Sequence, residues 1–136
     1  MITTGKMEER VLLVDENNKP IGSELRSVMR KNNLFHRSSF IYIYNSKYDT
    51  NIQLDYRKQF YVQKRTMTKD YLPGYYDLAT GGVVQEHEGN LENAIRELYE
   101  EMGIKTDSLI PHKKNLCFVS DRTKVYGNLF SLKYDG

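Results

Sequence analysis

Glu97, Glu100 and Glu101 stand at i, i+3 and i+4, so on a helix their carboxylates project together from adjacent turns. Like charges at these spacings repel by roughly 0.3 kcal/mol per pair on an exposed helix, and a cation resolves that repulsion. Clustered carboxylates with open water positions form a hard oxygen site of the kind Mg²⁺ or Mn²⁺ takes, usually shared with substrate phosphates. Arg96 lies four residues before Glu100, on the flank of the acidic face, where a guanidinium can hold a carboxylate in orientation. Upstream, Gly81-Gly82 permits a tight backbone turn with carbonyls pointed at the same place, and Glu88 sits in the loop that returns to the helix start. Three clustered glutamates alone are most often a solvated helix face, so the case rests on what surrounds them.

The helix is well marked. Leu91, Ala94, Ile95, Leu98 and Met102 fall at helical spacing, which predicts an apolar face opposite the acidic one. Asn90 is the expected N-cap and Gly103 the residue that ends the helix in left-handed geometry. Before it, Arg10–Asp15 and Ile21–Leu25 read as a hairpin turned over 16–20. Asp15, Asn17 and Asn18 superficially resemble a calcium loop, but Pro20 stands where that loop needs glycine, so an ordinary turn is expected. Residues 23–33 fit a short helix ended by Asn32-Asn33, and Phe40–Tyr44 a buried strand. A polar loop over 45–57 leads to a strand at Gln59–Arg65, Pro73-Gly74 marks a loop, and Tyr75–Leu78 is a further strand. Thr80-Gly81-Gly82 is expected to break the chain before Val83-Val84. Asn115–Ser120 and Lys124–Lys133 read as a hairpin turned at 121–123. Several strands with one strong and one weak helix predict an α+β domain with a mixed sheet.

Length and composition bound the rest. A chain of 136 residues is one domain's worth of material. Hydrophobic content of 39% with 12% aromatic is globular, and no apolar run approaches membrane-spanning length. MITTGKMEER lacks the apolar stretch of a secretory signal, and the one cysteine, Cys117, reads as a core thiol of a reduced protein. The expected location is cytoplasmic. Net charge of +2 argues neither for nor against nucleic acid, but acids concentrate in 86–101 and basic residues in 26–37 and 57–69. That separation suits a polyvalent cation bridging to an anionic ligand.

The full spacing is G-x₅-E-x₇-R-E-U-x-E-E-x-G-U, with U aliphatic, met at Gly82, Glu88, Arg96, Glu97, Leu98, Glu100, Glu101, Gly103 and Ile104. With average residue usage, a chance match at a given start is on the order of 10⁻⁹. This segment resembles the Nudix box, with every fixed position present. LFHRSSFIYIY and QKRTMTKDYLPGYYDLATGG fit the family's strand, strand, loop, box order. The resemblance implies a Nudix-like α/β/α sandwich over residues 34–136, with residues 1–33 as an N-terminal hairpin and short helix. It implies a metal-dependent hydrolase that cleaves a diphosphate linkage, in a nucleoside diphosphate derivative, by water attack at phosphorus. The metal would be Mg²⁺ or Mn²⁺, held by Glu97, Glu100, Glu101 and the Gly81 carbonyl. Glu88 and Arg96 would form the orienting pair, and Glu97 is the candidate general base. The partner implied is a small-molecule diphosphate, with no membrane and no specific nucleic-acid binding. The oligomeric state, homodimer included, is open.

Two departures stand out. His87 replaces the glycine that many members carry before Glu88. Only 32 residues follow Ile104, where the family usually adds further strand and a closing C-terminal helix, so the sequence reads as C-terminally truncated. Leu34-Phe35-His36-Arg37 followed by FIYIYN is similar to the strand entry of isopentenyl-diphosphate isomerase, whose histidine binds metal. Ala79-Thr80-Gly81-Gly82 lacks the isomerase's cysteine and second histidine, so His36 reads as structural and the chain as a hydrolase of a subgroup similar to the isomerases. A non-catalytic binding module is the remaining alternative. Lys64, Arg65 and Lys69 are candidate phosphate contacts, and Tyr75 and Tyr76 could stack on a base or prenyl group.

Overall fold

The computed structural model describes residues 8–45, 59–60, 63–64, 76–77 and 79–134. Within them the chain runs β1 (Arg10–Val14), β2 (Pro20–Leu25), α1 (Arg26–Lys31), β3 (Phe35–Asn45), β4 (Gln59–Phe60), β5 (Gln63–Lys64), β6 (Tyr76–Asp77), β7 (Ala79–Val83), α2 (Asn90–Met102), β8 (Ile110–Pro111), β9 (Leu116–Val119) and β10 (Lys124–Lys133). An eight-stranded mixed sheet is built around β3. Among the described residues its one parallel pairing joins β3 to β10, from Phe35 with Lys124 to Tyr44 with Lys133. Along the other edge of β3 lie β1, β7 and β4, all antiparallel. β8 and β9 pair antiparallel with β10, and β5 pairs with β6 in a separate small ribbon. This is the expected α+β architecture.

Alternation along β3 divides the core into two layers. Ile41 and Ile43 point to one face, where they join Phe130 and Leu132 of β10 beneath Ala94 and Leu98 of α2. On the opposite face, Val11 and Val83 pack against Met29 of α1, with Leu13 and Leu34 alongside. The sheet is therefore sandwiched, with α2 on one side and α1 on the other.

Several elements differ from expectation for local reasons. β3 begins five residues earlier than Phe40, because His36, Ser38 and Ser39 gain ladder partners on both edges, and Arg37 on one, despite their polarity. α1 is confined to Arg26–Lys31, since 23–25 are drawn into the β1–β2 hairpin. The turn between these strands is an Asx turn, in which Asp15 Oδ1 accepts from the N–H groups of Asn17 (2.8 Å) and Lys19 (2.9 Å). Cys117 is exposed on β9, not a core thiol. No helix among the described residues is long and apolar enough to cross a membrane.

Candidate active site

The Gly-Gly pair is not the expected turn. Gly81 and Gly82 lie inside β7, opposite Phe40 and Ser39 of β3. Gly81 takes φ +140°, and a β-carbon there would run into the main-chain carbonyl of Ser39. A glycine inside a strand here marks close backbone approach, not chain reversal. Gly82 has a different reason to be glycine. A β-carbon on it would stand 2.7 Å from both Cδ and Oε1 of Glu97.

That contact fixes how α2 sits. Glu97 and Asn93 are buried together with Ala94 and Leu98, while Leu91 is half exposed. The helix is thus rolled so that one edge of its acidic arc faces the sheet, and the expected separation of an apolar face from an opposite acidic face is corrected. The N-cap is Gly89 and not Asn90, because Glu92 three residues on reaches back to the Gly89 N–H at 3.2 Å. Gly103 ends the helix at φ 70° as expected.

Arg96 ties the carboxylates together. Its Nε donates to Glu88 Oε2 at 2.6 Å and its Nη2 to Glu88 Oε1 at 3.2 Å, a fork on one carboxylate. Nη1 donates to Glu100 Oε2 at 2.9 Å, and Nη2 also lies 3.1 Å from Glu97 Oε1. Glu88 Oε1 accepts two more bonds, from the Gln85 N–H (3.0 Å) and from Asn93 Nδ2 (2.9 Å). Asn93 Nδ2 also donates to the Val83 carbonyl, and its Oδ1 accepts from the Ser39 hydroxyl. Asn93, Gln85 and Ser39 were not singled out from sequence. Only Asn93 carried a signal, four residues before Glu97 on the same side of the helix.

The charges respond to this setting. Burial pushes the Glu88 carboxyl upward, but the bonds from Arg96, Gln85 and Asn93 outweigh it and hold the group below the usual carboxylate range. Glu97 goes the other way. Burial raises it, and Arg96 offsets only part of that rise, to which Glu100, Glu101 and Glu9 add.

Among the described residues no three His, Cys, Asp or Glu side chains converge closely enough to hold a metal ion by themselves. The donor chemistry nevertheless fits a hard divalent cation. Glu97, Glu100 and Glu101 offer carboxylate oxygens of the kind such an ion takes. Burial first, and then the charges of Glu100 and Glu101, raise the Glu97 carboxyl, and Gly82 leaves the space in which it sits. Mg²⁺ keeps several waters and shares substrate phosphates, so it does not require an all-protein cage. Glu88 differs, since its oxygens already accept four bonds.

The other candidates are placed less fully. Lys64 lies in β5, paired with Tyr76 of β6, while Arg65, Lys69 and Tyr75 fall outside the described residues. His36 is buried, with Nδ1 2.9 Å from the Leu34 carbonyl oxygen.

Comparison with known proteins points one way. A match to the NUDIX domain spans residues 34–130. An uncharacterized Nudix hydrolase of Pseudomonas aeruginosa, PA4841, is 39% identical over 104 residues, covering 76% of this chain and 56% of its own length. The uncharacterized Nudix hydrolase YfcD of Escherichia coli is 38% identical over 123 residues, covering 90% of this chain and 62% of its own. The chain thus spans roughly three fifths of the length of the curated relatives it matches. The crystal structure of DR0079 from Deinococcus radiodurans aligns over 94% of this chain and 74% of that one, with a TM-score of 0.69 and 25% identity. A MutT protein from Methanosarcina mazei shares the fold, with a TM-score of 0.52 and 24% identity over 71% of this chain and 62% of that one.

Proposed function

The chain belongs to the Nudix domain family, and on that premise we propose that it is a metal-dependent hydrolase cleaving the diphosphate linkage of a small molecule, in the first place a nucleoside diphosphate derivative. The observation that carries the reading is the carboxylate cluster on α2. Glu97 is seated against Gly82, Glu100 is beside it, and Arg96 binds both to Glu88.

In this reading Glu97, Glu100 and Glu101, with the Gly81 carbonyl, hold Mg²⁺ or Mn²⁺, and Glu88 with Arg96 fixes their orientation. When bound, the metal supplies Lewis-acid polarisation of the phosphate and charge neutralisation. The water oxygen bonds to phosphorus while the bridging P–O bond breaks and the leaving phosphate keeps the electron pair. Glu97 is the proposed acceptor of the water's proton, since it borders the Glu100–Glu101 pair and its carboxylate is seated against Gly82. Lys64, Arg65 and Lys69 are proposed phosphate contacts. The subgroup similar to isopentenyl-diphosphate isomerases is supported by the LFHRSSFIYIY segment, with buried His36 in a structural role.

The test is turnover in the presence of Mg²⁺ on nucleoside diphosphates, nucleotide sugars and isopentenyl diphosphate. Phosphate or nucleotide release that vanishes in Glu100→Gln supports the hydrolase. An allylic isomer without phosphate release, or metal binding without turnover of any of these, overturns it.

A further inference from the structure

Glu9 lies outside the segment that matches the family domain, yet the N-terminal hairpin lays it against the loop that carries Glu88. Two backbone hydrogen bonds zip β1 to this loop and set Val11 opposite Gln85: the Leu12 N–H donates to the Val84 carbonyl at 3.0 Å, and the Glu86 N–H donates to the Arg10 carbonyl at 3.2 Å. Gln85 is the shared joint. Its main-chain N–H donates to Glu88 Oε1 at 3.0 Å, while its side-chain amide donates to Glu9 Oε2 at 3.3 Å. The other Glu9 oxygen accepts from Arg26 Nη1 at 2.9 Å, and the Glu9 carbonyl accepts the Arg26 N–H at 3.1 Å. Arg26 begins α1, so one hydrogen-bonded path runs from that helix through Glu9 and Gln85 to the Glu88 carboxylate and on to Arg96.

We propose that Glu9 is a positioning residue of the hydrolytic site, acting through Gln85 to hold the Glu88 carboxylate in register with Arg96. The proposal rests on the hydrolase reading above and extends it, since it makes the N-terminal hairpin part of the site. An ion pair confined to the surface would end at Arg26. The bond to Gln85 gives Glu9 a route to a group in direct contact with Arg96. Polar partners directly behind metal-binding groups are worth about 10- to 100-fold when removed. Glu9 acts further back, through Gln85 on the orienting Glu88, so its effect falls at the lower end of that range.

The test compares Glu9→Ala, Gln85→Ala, the double variant and Glu9→Gln in the full chain, with Mg²⁺ and the diphosphate that the wild type turns over fastest. Glu9→Ala should lower kcat about tenfold with KM nearly unchanged. The double variant should be no slower than the slower single one, because both changes cut the same path. Glu9→Gln keeps an oxygen acceptor at the same reach and should recover most of the loss. Hydrogen exchange of the Gln85 main-chain amide, read by NMR, should quicken in Glu9→Ala. Unchanged kcat and exchange in Glu9→Ala, or losses that multiply in the double variant, would overturn the proposal. If the wild type turns over no diphosphate, the hydrolase reading fails by itself, and Gln85 exchange alone decides whether Glu9 controls the joint.

Discussion

The carboxylate of Glu97 lies in the space that a side chain on residue 82 would fill, since a β-carbon at Gly82 would meet Glu97 Cδ and Oε1 at 2.7 Å. The obstacle is the end of a flexible side chain, so Gly82→Ala can be relieved by rotating Glu97 away. The fold should survive with a loss of about 1 kcal/mol or less. Activity should fall more steeply, by at least the roughly 10- to 100-fold in kcat that losing a group merely supporting a metal ligand costs. Denaturant unfolding and steady-state kinetics on one preparation check this, and a fully active Gly82→Ala would sink the assignment of Glu97. Gly81→Ala is the contrasting control. Its positive φ and the Ser39 carbonyl leave no such relief, so it should destabilise the protein itself.

Arg96→Lys separates charge from geometry. The guanidinium forks onto Glu88 through Nε and Nη2 while Nη1 reaches Glu100, and an ammonium cannot match these directions. Stability should fall by about 2 kcal/mol, the range for hydrogen bonds between charged groups. kcat should fall more than KM rises, because what is lost is the alignment of Glu88, Glu97 and Glu100. Equal kinetics in the lysine variant would show that positive charge alone is sufficient at this position.

The acidic helix was legible because its evidence is local: spacing, a terminal glycine, a run of helix-favouring residues. Its roll was not, because which arc of α2 faces the sheet is decided across the fold by Gly82. The same cause hid Asn93, whose partners Ser39, Val83 and Glu88 are brought to it by β3, β7 and the following loop. A glycine pair such as Gly81-Gly82 reads as a breaker in sequence, but pairing with β3 carries the strand straight through it. The polar opening of β3 misled in the same way. Glu9 carried no signal at all, because its bond to Gln85 depends on the β1 register.

Glu88 and Glu97 should give opposite pH responses in metal-free protein. Glu88 is held below its ordinary value, so its ionised form stabilises the fold. That contribution is full above the unfolded-state pKa and is lost as pH falls through the lower folded value. Glu97 is raised, so its ionised form costs stability as pH rises from the unfolded value through the higher folded one. Glu88→Gln should therefore be less stable than wild type at neutral pH, with the gap closing in acid. Glu97→Gln should be more stable at neutral pH, and its gap also closes as the wild-type carboxyl takes up its proton. Thermal melts across the acid limb decide the signs, and matching responses from the two variants would contradict the environments described here.

Divalent cation should act as a folding ligand whose effect depends on Glu100 and Glu101 more than on Glu88. Any species that binds only the folded state stabilises it, by about 2.7 kcal/mol at a hundredfold excess over its dissociation constant. Mg²⁺ or Mn²⁺ should thus raise the melting temperature in a concentration-dependent way, and a chelator should reverse the shift and abolish turnover. Glu100 is half exposed, with one bond to Arg96, whereas both oxygens of Glu88 are already occupied by donors from Arg96, Gln85 and Asn93. Glu100→Gln and Glu101→Gln should therefore weaken the metal-induced shift strongly. Glu88→Gln should lower the melting temperature of the metal-free protein while leaving most of the shift in place. A Glu88→Gln variant that loses the whole metal response would place Glu88 on the ion itself, and the division between holding the metal and orienting its holders would have to be redrawn.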